Sequence, residues 1–235
     1  MISQKGYAMR NLAVIPARGG STRLKDKNIT PLKGKPLIRW VTEAVIESDV
    51  FDHVLISTDS DEIFDAVEDL PVFRHKRPET HATVTATALN AMLDIIDGWG
   101  LYFNNQDQYE TFSYFLPTCP FISADDIIAG MKLLKEWPEA TVVSMTQIPE
   151  TIQLACLMKD DWVLPVFDNL ECGLTNSKFI KKYYKPSGAF YMGRTAKIKK
   201  DRNFFAGDVK GIIIPPERSV DINTAQDLTY AESIL

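Results

Sequence analysis

The chain has 235 residues, 45% of them hydrophobic and 24% charged, with a formal net charge of −5. This size and balance permit a full core and describe a soluble globular protein. The acidic balance argues against a general nucleic-acid binder. No apolar run reaches the roughly 18–20 residues of a membrane-spanning helix, so no membrane partner is expected. Three cysteines, Cys119, Cys156 and Cys172, have neither CxxC nor metal-ligand spacing and read as reduced thiols. The N-terminal "MISQKGYAMRN" lacks the apolar core of a secretion signal. It is expected to be a short extension, with Met9 a possible alternative start, on a cytoplasmic protein.

The run "NLAVIPA" (11–17) is short, apolar and β-branched, as expected of a buried parallel strand. A polar loop leads to "KPLIRWVTEAVIES" (35–48), where apolar residues recur at helical spacing and Pro36 suits the first turn. "HVLISTDS" (53–60) reads as a strand ending in hydroxyls and an aspartate, followed by a helix over 60–70 capped by Ser60. "PVFRH" (71–75) is a third, shorter strand, and 85–99 is a helix. "TFSYFLPTCP" (111–120) is a strand stopped by prolines, 123–137 a helix capped by Ser123, and 140–148 a strand.

From 149 to 186 the alternation fails: short antiparallel strands around a "KDD" turn precede the basic, aromatic "TNSKFIKKYY". Strands at 188–193 and 209–215 and a last helix from about Asn223 to Leu235 complete the chain. Alternation of this kind predicts one α/β domain over 1–235, with a mostly parallel sheet covered on both faces. Ligands of such sheets collect at the carboxyl ends of the strands, so loops 18–28, 57–61, 75–85 and 117–123 share one rim.

The first of these loops, within "AVIPARGGSTRLKDKN" (13–28), carries the clearest chemistry. Arg18, Arg23, Lys25 and Lys27 supply positive charge, while Gly19 and Gly20 let backbone N–H groups approach an anion. That suits a triphosphate, although neither GxxxxGK[ST] nor GxGxxG occurs. Taken from the loop alone, a solvated turn with incidental charges remains open. His53, His75 and His81 form no metal-ligand pattern, and no nucleophilic triad is evident.

The longer string "IPARGGSTRLKDKNITPLKGKPLI" resembles the signature of the acylneuraminate cytidylyltransferases, I-P-A-R-G-G-S-K-x-x-x-x-K-N-I-x-x-L-x-G-K-P-L-I. "DHVLISTDSDEI", "RPETHA", "FLPTCPF", "PSGAFYM" and "SVDINTAQDLTYAE" follow in the family's order, so the likeness covers about 11–235. The resemblance implies a Rossmann-like three-layer α/β/α sandwich of the nucleotide-diphospho-sugar transferase type. It also implies a small protruding dimerisation element, which 149–186 fits, and hence a homodimer.

The activity implied is transfer of CMP from CTP to an acidic nine-carbon keto-sugar, a nonulosonic acid, with Mg²⁺ as cofactor. Ala17, Arg18, Gly19, Gly20, Ser21 and Lys27 would line the phosphates, with Arg18, Lys27 and Asp221 catalytic. Asn28, Arg77 and Thr87 would contact the nucleotide, Asn28 and Arg77 at the cytosine acceptors O2 and N3. Thr118, Lys185 and Tyr191 would face the sugar, and Asp221 and Asn223 the metal.

Several positions depart from the family pattern. Asn223 stands where the second carboxylate of D-I-D is usual, and Leu116 replaces a sugar-facing Gln. Val84 and Ala88 replace an acid and a hydroxyl, and an arginine position falls at about Ser177. Two other readings stay open on these residues: a transferase for the eight-carbon sugar Kdo, and a catalytically weakened binding protein.

Overall fold

In the computed structural model the described residues are 10–21, 23–77, 93, 95–97, 109–148, 152–176 and 180–235. A seven-stranded sheet has the order β11-β7-β10-β6-β1-β4-β5. Its strands are β1 (Arg10–Pro16), β4 (His53–Thr58), β5 (Phe73–Lys76), β6 (Tyr109–Phe115), β7 (Thr141–Gln147), β10 (Tyr184–Arg194) and β11 (Val209–Ile213). All neighbours pair in parallel except β10, which runs antiparallel to both β6 and β7. The sheet is therefore mostly parallel, as expected.

Side chains alternate across each strand, so Ala13 and Ile15 enter one core layer while Leu12 and Val14 enter the other. Helices α1 (Leu37–Glu47) and α3 (Ala124–Glu136) cover the first face. Ile198 of α4 (Thr195–Asp201) and residues 93, 95 and 96 cover the second. The helix expected over 85–99 lies largely outside the described residues, of which 93 and 95–97 are helical.

Other expectations are adjusted locally. Pro36 ends a two-residue strand, β3 (Lys35–Pro36), paired with β2 (Pro31–Leu32), and it precedes α1 instead of starting it. Helix α2 is shorter than expected, Asp61–Asp65, with Ser60 accepting from the Ile63 amide. Helix α4 was not foreseen.

The strand expected at 188–193 begins earlier, at Tyr184, and passes Pro186 through a register shift before Tyr191. Gly188 takes φ +88° there, a conformation strained for residues with a side chain. The excursion contains the expected hairpin, β8 (Cys156–Lys159) with β9 (Trp162–Pro165), turning at Asp160. The final helix, α5 (Ala225–Ile234), is capped by Thr224 in a reciprocal pair with Asp227.

Candidate active site

Four strands that run parallel, β1, β4, β5 and β6, deliver their carboxyl ends to one edge of the sheet, and the candidate residues follow directly. Beyond β1, Ala17 is buried and its amide continues the pairing to the Ser57 carbonyl at 2.9 Å. Gly19 donates its N–H to Asp59 Oδ1 at 2.7 Å. The amide that the sequence offered to a phosphate is thus held by a carboxylate at the end of β4. A Cβ at Gly19 would stand 3.1 Å from Ser60 Cβ, so a side chain there would press the two closely approaching loops apart by a few tenths of an ångström. Gly20 is exposed and Ser21 half-buried.

The loop is closed from beneath by Asn28. This buried residue sits in a single 3-10 turn, Lys27–Ile29, and its Nδ2 donates to the Arg18 carbonyl at 2.9 Å. One amide hydrogen is thereby committed to the loop itself. The Arg18 guanidinium is half-buried and makes no hydrogen bond or ion pair among the described residues.

Arg77 follows β5. Its amide binds the Thr58 carbonyl at 2.7 Å and its guanidinium the Ser57 carbonyl at 3.1 Å. Arg77 is 9% exposed, and its Nε finds no partner among the described residues. Burial pulls its pKa below the usual arginine range, with Tyr114 and Asp59 opposing. At least one of its donors is left unsatisfied by the described residues.

The other half of the site joins the loop after β6 to the segment before α5. Thr118 Oγ1 donates to Asp221 Oδ1 at 2.5 Å, and the Ile222 amide donates to the Thr118 carbonyl at 2.9 Å. Thr118, expected to face the sugar, therefore holds a carboxylate. Lys27 Nζ donates to Asn223 Oδ1 at 2.9 Å, and Arg23 reaches the same oxygen at 3.4 Å. Burial lowers the Lys27 pKa from its ordinary value, with Asp221 opposing.

Asn223 does not cap α5, since Thr224 does. The Asn223 amide instead binds Asp227 Oδ2 at 2.9 Å. Cys119, beside Thr118, is buried, and burial together with Asp221 raises its thiol pKa, which keeps it protonated.

On β10, Tyr191 packs against Phe204 and Tyr114, with ring centroids at 5.4 and 6.3 Å, and burial pushes its hydroxyl pKa up. Lys185 stands exposed beyond the register shift, opposite Thr146 of β7. Hydrogen bonds thus join Arg18 to Asn28, Lys27 to Asn223, and Thr118 to Asp221. Among the described residues none links Lys185 or Ser21 to these groups. Thr87, Val84, Ala88 and Ser177 lie outside the described residues. Asp59 and Asp227 complete the constellation without having been assigned site roles from sequence, and Arg23, expected only as one of the loop's positive charges, joins it at Asn223. Asp59 had a visible signal, an acid directly after a strand that ends on the rim.

Comparison with known proteins gives this edge of the sheet its context. A family model described as cytidylyltransferase matches residues 12–107. The pseudaminic acid cytidylyltransferase of Campylobacter jejuni is 30% identical over 231 residues, covering 95% of this chain and 95% of that protein. The chain belongs to the cytidylyltransferase family.

The N-acylneuraminate cytidylyltransferase of Escherichia coli is 30% identical over 224 residues, covering 95% of this chain and 51% of that protein. This cytidylyltransferase also shares its fold with a solved CMP:2-keto-3-deoxy-manno-octonic acid synthetase complexed with CTP. The TM-score is 0.66 at 15% identity, over 96% of this chain and 98% of that one. The fold is accordingly Rossmann-like α/β, and the chain is a nucleotidyltransferase enzyme.

Proposed function

We propose that the enzyme joins CTP to a nonulosonic acid, giving a CMP-sugar and pyrophosphate. The observation carrying this reading is the meeting of Lys27, Asn223, Asp221 and Thr118 at the strand ends, from three separate stretches of chain. In support, relatives at 30% identity along nearly the whole chain are named for pseudaminic and N-acylneuraminic acids. The likeness to the Kdo enzyme, at 15% identity, is one of fold.

The sugar's anomeric hydroxyl attacks the α-phosphorus of CTP in line. A P–O bond forms there as the bond to pyrophosphate breaks, and the hydroxyl proton leaves to solvent or to a phosphate oxygen. Arg18 and Lys27 lie against the phosphates and stabilise the charge that grows on the leaving group. Asn28 and Arg77 orient the cytosine, and Tyr191 and Lys185 face the sugar.

A hard divalent cation such as Mg²⁺ suits the donor set. Asp221 has one oxygen held by Thr118 and its second without a hydrogen-bond partner among the described residues. Magnesium is commonly held by one or two carboxylates together with substrate phosphates, so Asp221 beside a bound triphosphate would suffice. Mg²⁺ bound there would neutralise phosphate charge. We assign the ion to Asp221 and not to Asn223, whose oxygen already faces two cationic side chains.

The enzyme is further proposed to be a cytoplasmic homodimer. No described helix is long and apolar enough to cross a membrane. The β8–β9 hairpin exposes Leu157, Met158, Trp162 and Val163, and a lone two-stranded ribbon is marginal unless something covers it. The test of the reaction is pyrophosphate release from CTP and Mg²⁺ on adding pseudaminic, legionaminic or sialic acid, with Kdo alongside. Release with one of the first three supports the reading. Release with Kdo alone overturns it.

A further inference from the structure

We infer that Tyr114 is a specificity-determining residue whose hydroxyl binds the carbonyl oxygen of an acylamido group on the acceptor sugar. This inference rests on the reaction proposed above. Tyr114 is the penultimate residue of β6, paired across the sheet with Tyr191 on one side and with Val14 of β1 on the other. It therefore stands between the strand that leads into the Arg18 loop and the strand that carries the proposed sugar contact.

The side chain is 4% exposed, and its hydroxyl has no hydrogen-bond partner among the described residues. A buried hydroxyl without a partner is costly in the free protein, and phenylalanine would fill the same volume without that cost. The oxygen makes physical sense if a ligand supplies the missing bond.

The surroundings define what that ligand group is. Ile198 and Phe204 belong to the same apolar cluster, so an uncharged partner is favoured over a carboxylate. Burial pushes the Tyr114 hydroxyl pKa well up, and the group remains an O–H donor. The hydroxyl lacks an oxygen acceptor, and a neutral amide carbonyl is one that these apolar surroundings admit. Tyr191, 6.3 Å away between ring centroids, supplies a wall against which the acyl group packs.

The test is Tyr114→Phe, compared with wild type in free-protein melting, in CTP kinetics and across acceptor sugars. The expected result has three parts. Free-protein Tm is equal or higher, and KM for CTP is unchanged. kcat/KM falls about tenfold for acylamido sugars and is unaltered for a nonulosonic acid bearing hydroxyls alone.

Equal kcat/KM for the variant and wild type on every active sugar overturns the inference, as does an equal loss on acylamido and hydroxyl-only sugars. A clear fall in free-protein Tm overturns it too, by revealing a partner within the protein. Wild-type enzyme that releases no pyrophosphate with any nonulosonic acid defeats the reaction reading itself, a result distinct from those three.

Discussion

The Thr118 hydroxyl donates to Asp221 at 2.5 Å across 103 positions of sequence, while the Ile222 amide returns a bond to the Thr118 carbonyl. Two bonds of opposite direction lock the loop after β6 to the segment before α5. The carboxylate is thereby fixed by one oxygen, and the other has no hydrogen-bond partner among the described residues and is the one proposed to meet the cation. Partners that orient a metal-binding group in this way commonly matter by about 10–100-fold. Thr118→Val is expected to raise the Mg²⁺ concentration for half-maximal activity about tenfold, and Thr118→Ser to restore it. Calorimetry of Mn²⁺ binding in the presence of CTP should show the same order. Unchanged metal affinity in Thr118→Val would return Thr118 to a sugar-facing role.

Asn223 makes a different claim on the same region. Its oxygen takes the Lys27 ammonium and the Arg23 guanidinium, while α5 is capped one residue later by Thr224. Asn223→Asp would place a full negative charge between those cations and pin Lys27 in an ion pair. We expect KM for CTP to rise severalfold, with the Mg²⁺ requirement unaltered. A magnesium titration decides the matter: a lower requirement in the variant would mean that residue 223 faces the ion.

Asp126 ties the rim to the fold. Its carboxylate accepts from the Ser123 amide and hydroxyl at the start of α3, and from both terminal nitrogens of Arg218, at 2.5 and 3.0 Å. Arg218 lies three residues before Asp221, so this ion pair anchors the strip that carries the proposed metal ligand. The Asp126 side chain is 11% exposed, and Asp126→Asn is expected to cost about 1.5–3 kcal/mol in denaturant unfolding.

Burial raises the Asp126 pKa, but the bonds from Arg218 and Ser123 outweigh it and hold the value below the usual carboxylate range. Its stabilisation is therefore complete above the ordinary aspartate pKa and is lost as pH falls through the depressed folded value. The wild-type and variant stability curves should converge at that acid end.

The hairpin prediction concerns assembly. Trp162 is 74% exposed on β9, beside the exposed Val163 and across from Lys159. Light scattering should give a dimer at micromolar concentration, and Trp162→Asp should give a folded monomer whose cooperative melting is lower and no longer depends on protein concentration. A wild-type monomer, or a dimer indifferent to the substitution, would contradict this.

The strand and helix alternation was legible because strands buried on both faces are continuous apolar runs and covering helices show a clear period. Helix α4 was not, since Thr195–Asp201 buries only Ile198 and leaves no pattern to read. The early start of β10 was masked by Pro186, which argues against a strand until the register shift at Gly188 explains it. In the site, residue types pointed to phosphate chemistry, but the pairings did not follow from type. Thr118 could as well face a sugar as a carboxylate, and Asn223 could cap a helix or face a metal. Tyr114 gave no signal at all, since a tyrosine in a β-rich run is ordinary and its lack of a partner exists only in three dimensions.

The central claim is that this enzyme uses CTP, selected by its base, to activate a nonulosonic acid. Pyrophosphate release measured with Mg²⁺ and pseudaminic acid against CTP, UTP, ATP and GTP tests it most directly. We predict sugar-dependent release with CTP and little with the other three, because the proposed reading assigns Asn28 and Arg77 to cytosine's acceptors. Comparable release with UTP or a purine nucleotide, or release from CTP that does not depend on the sugar, would contradict the account.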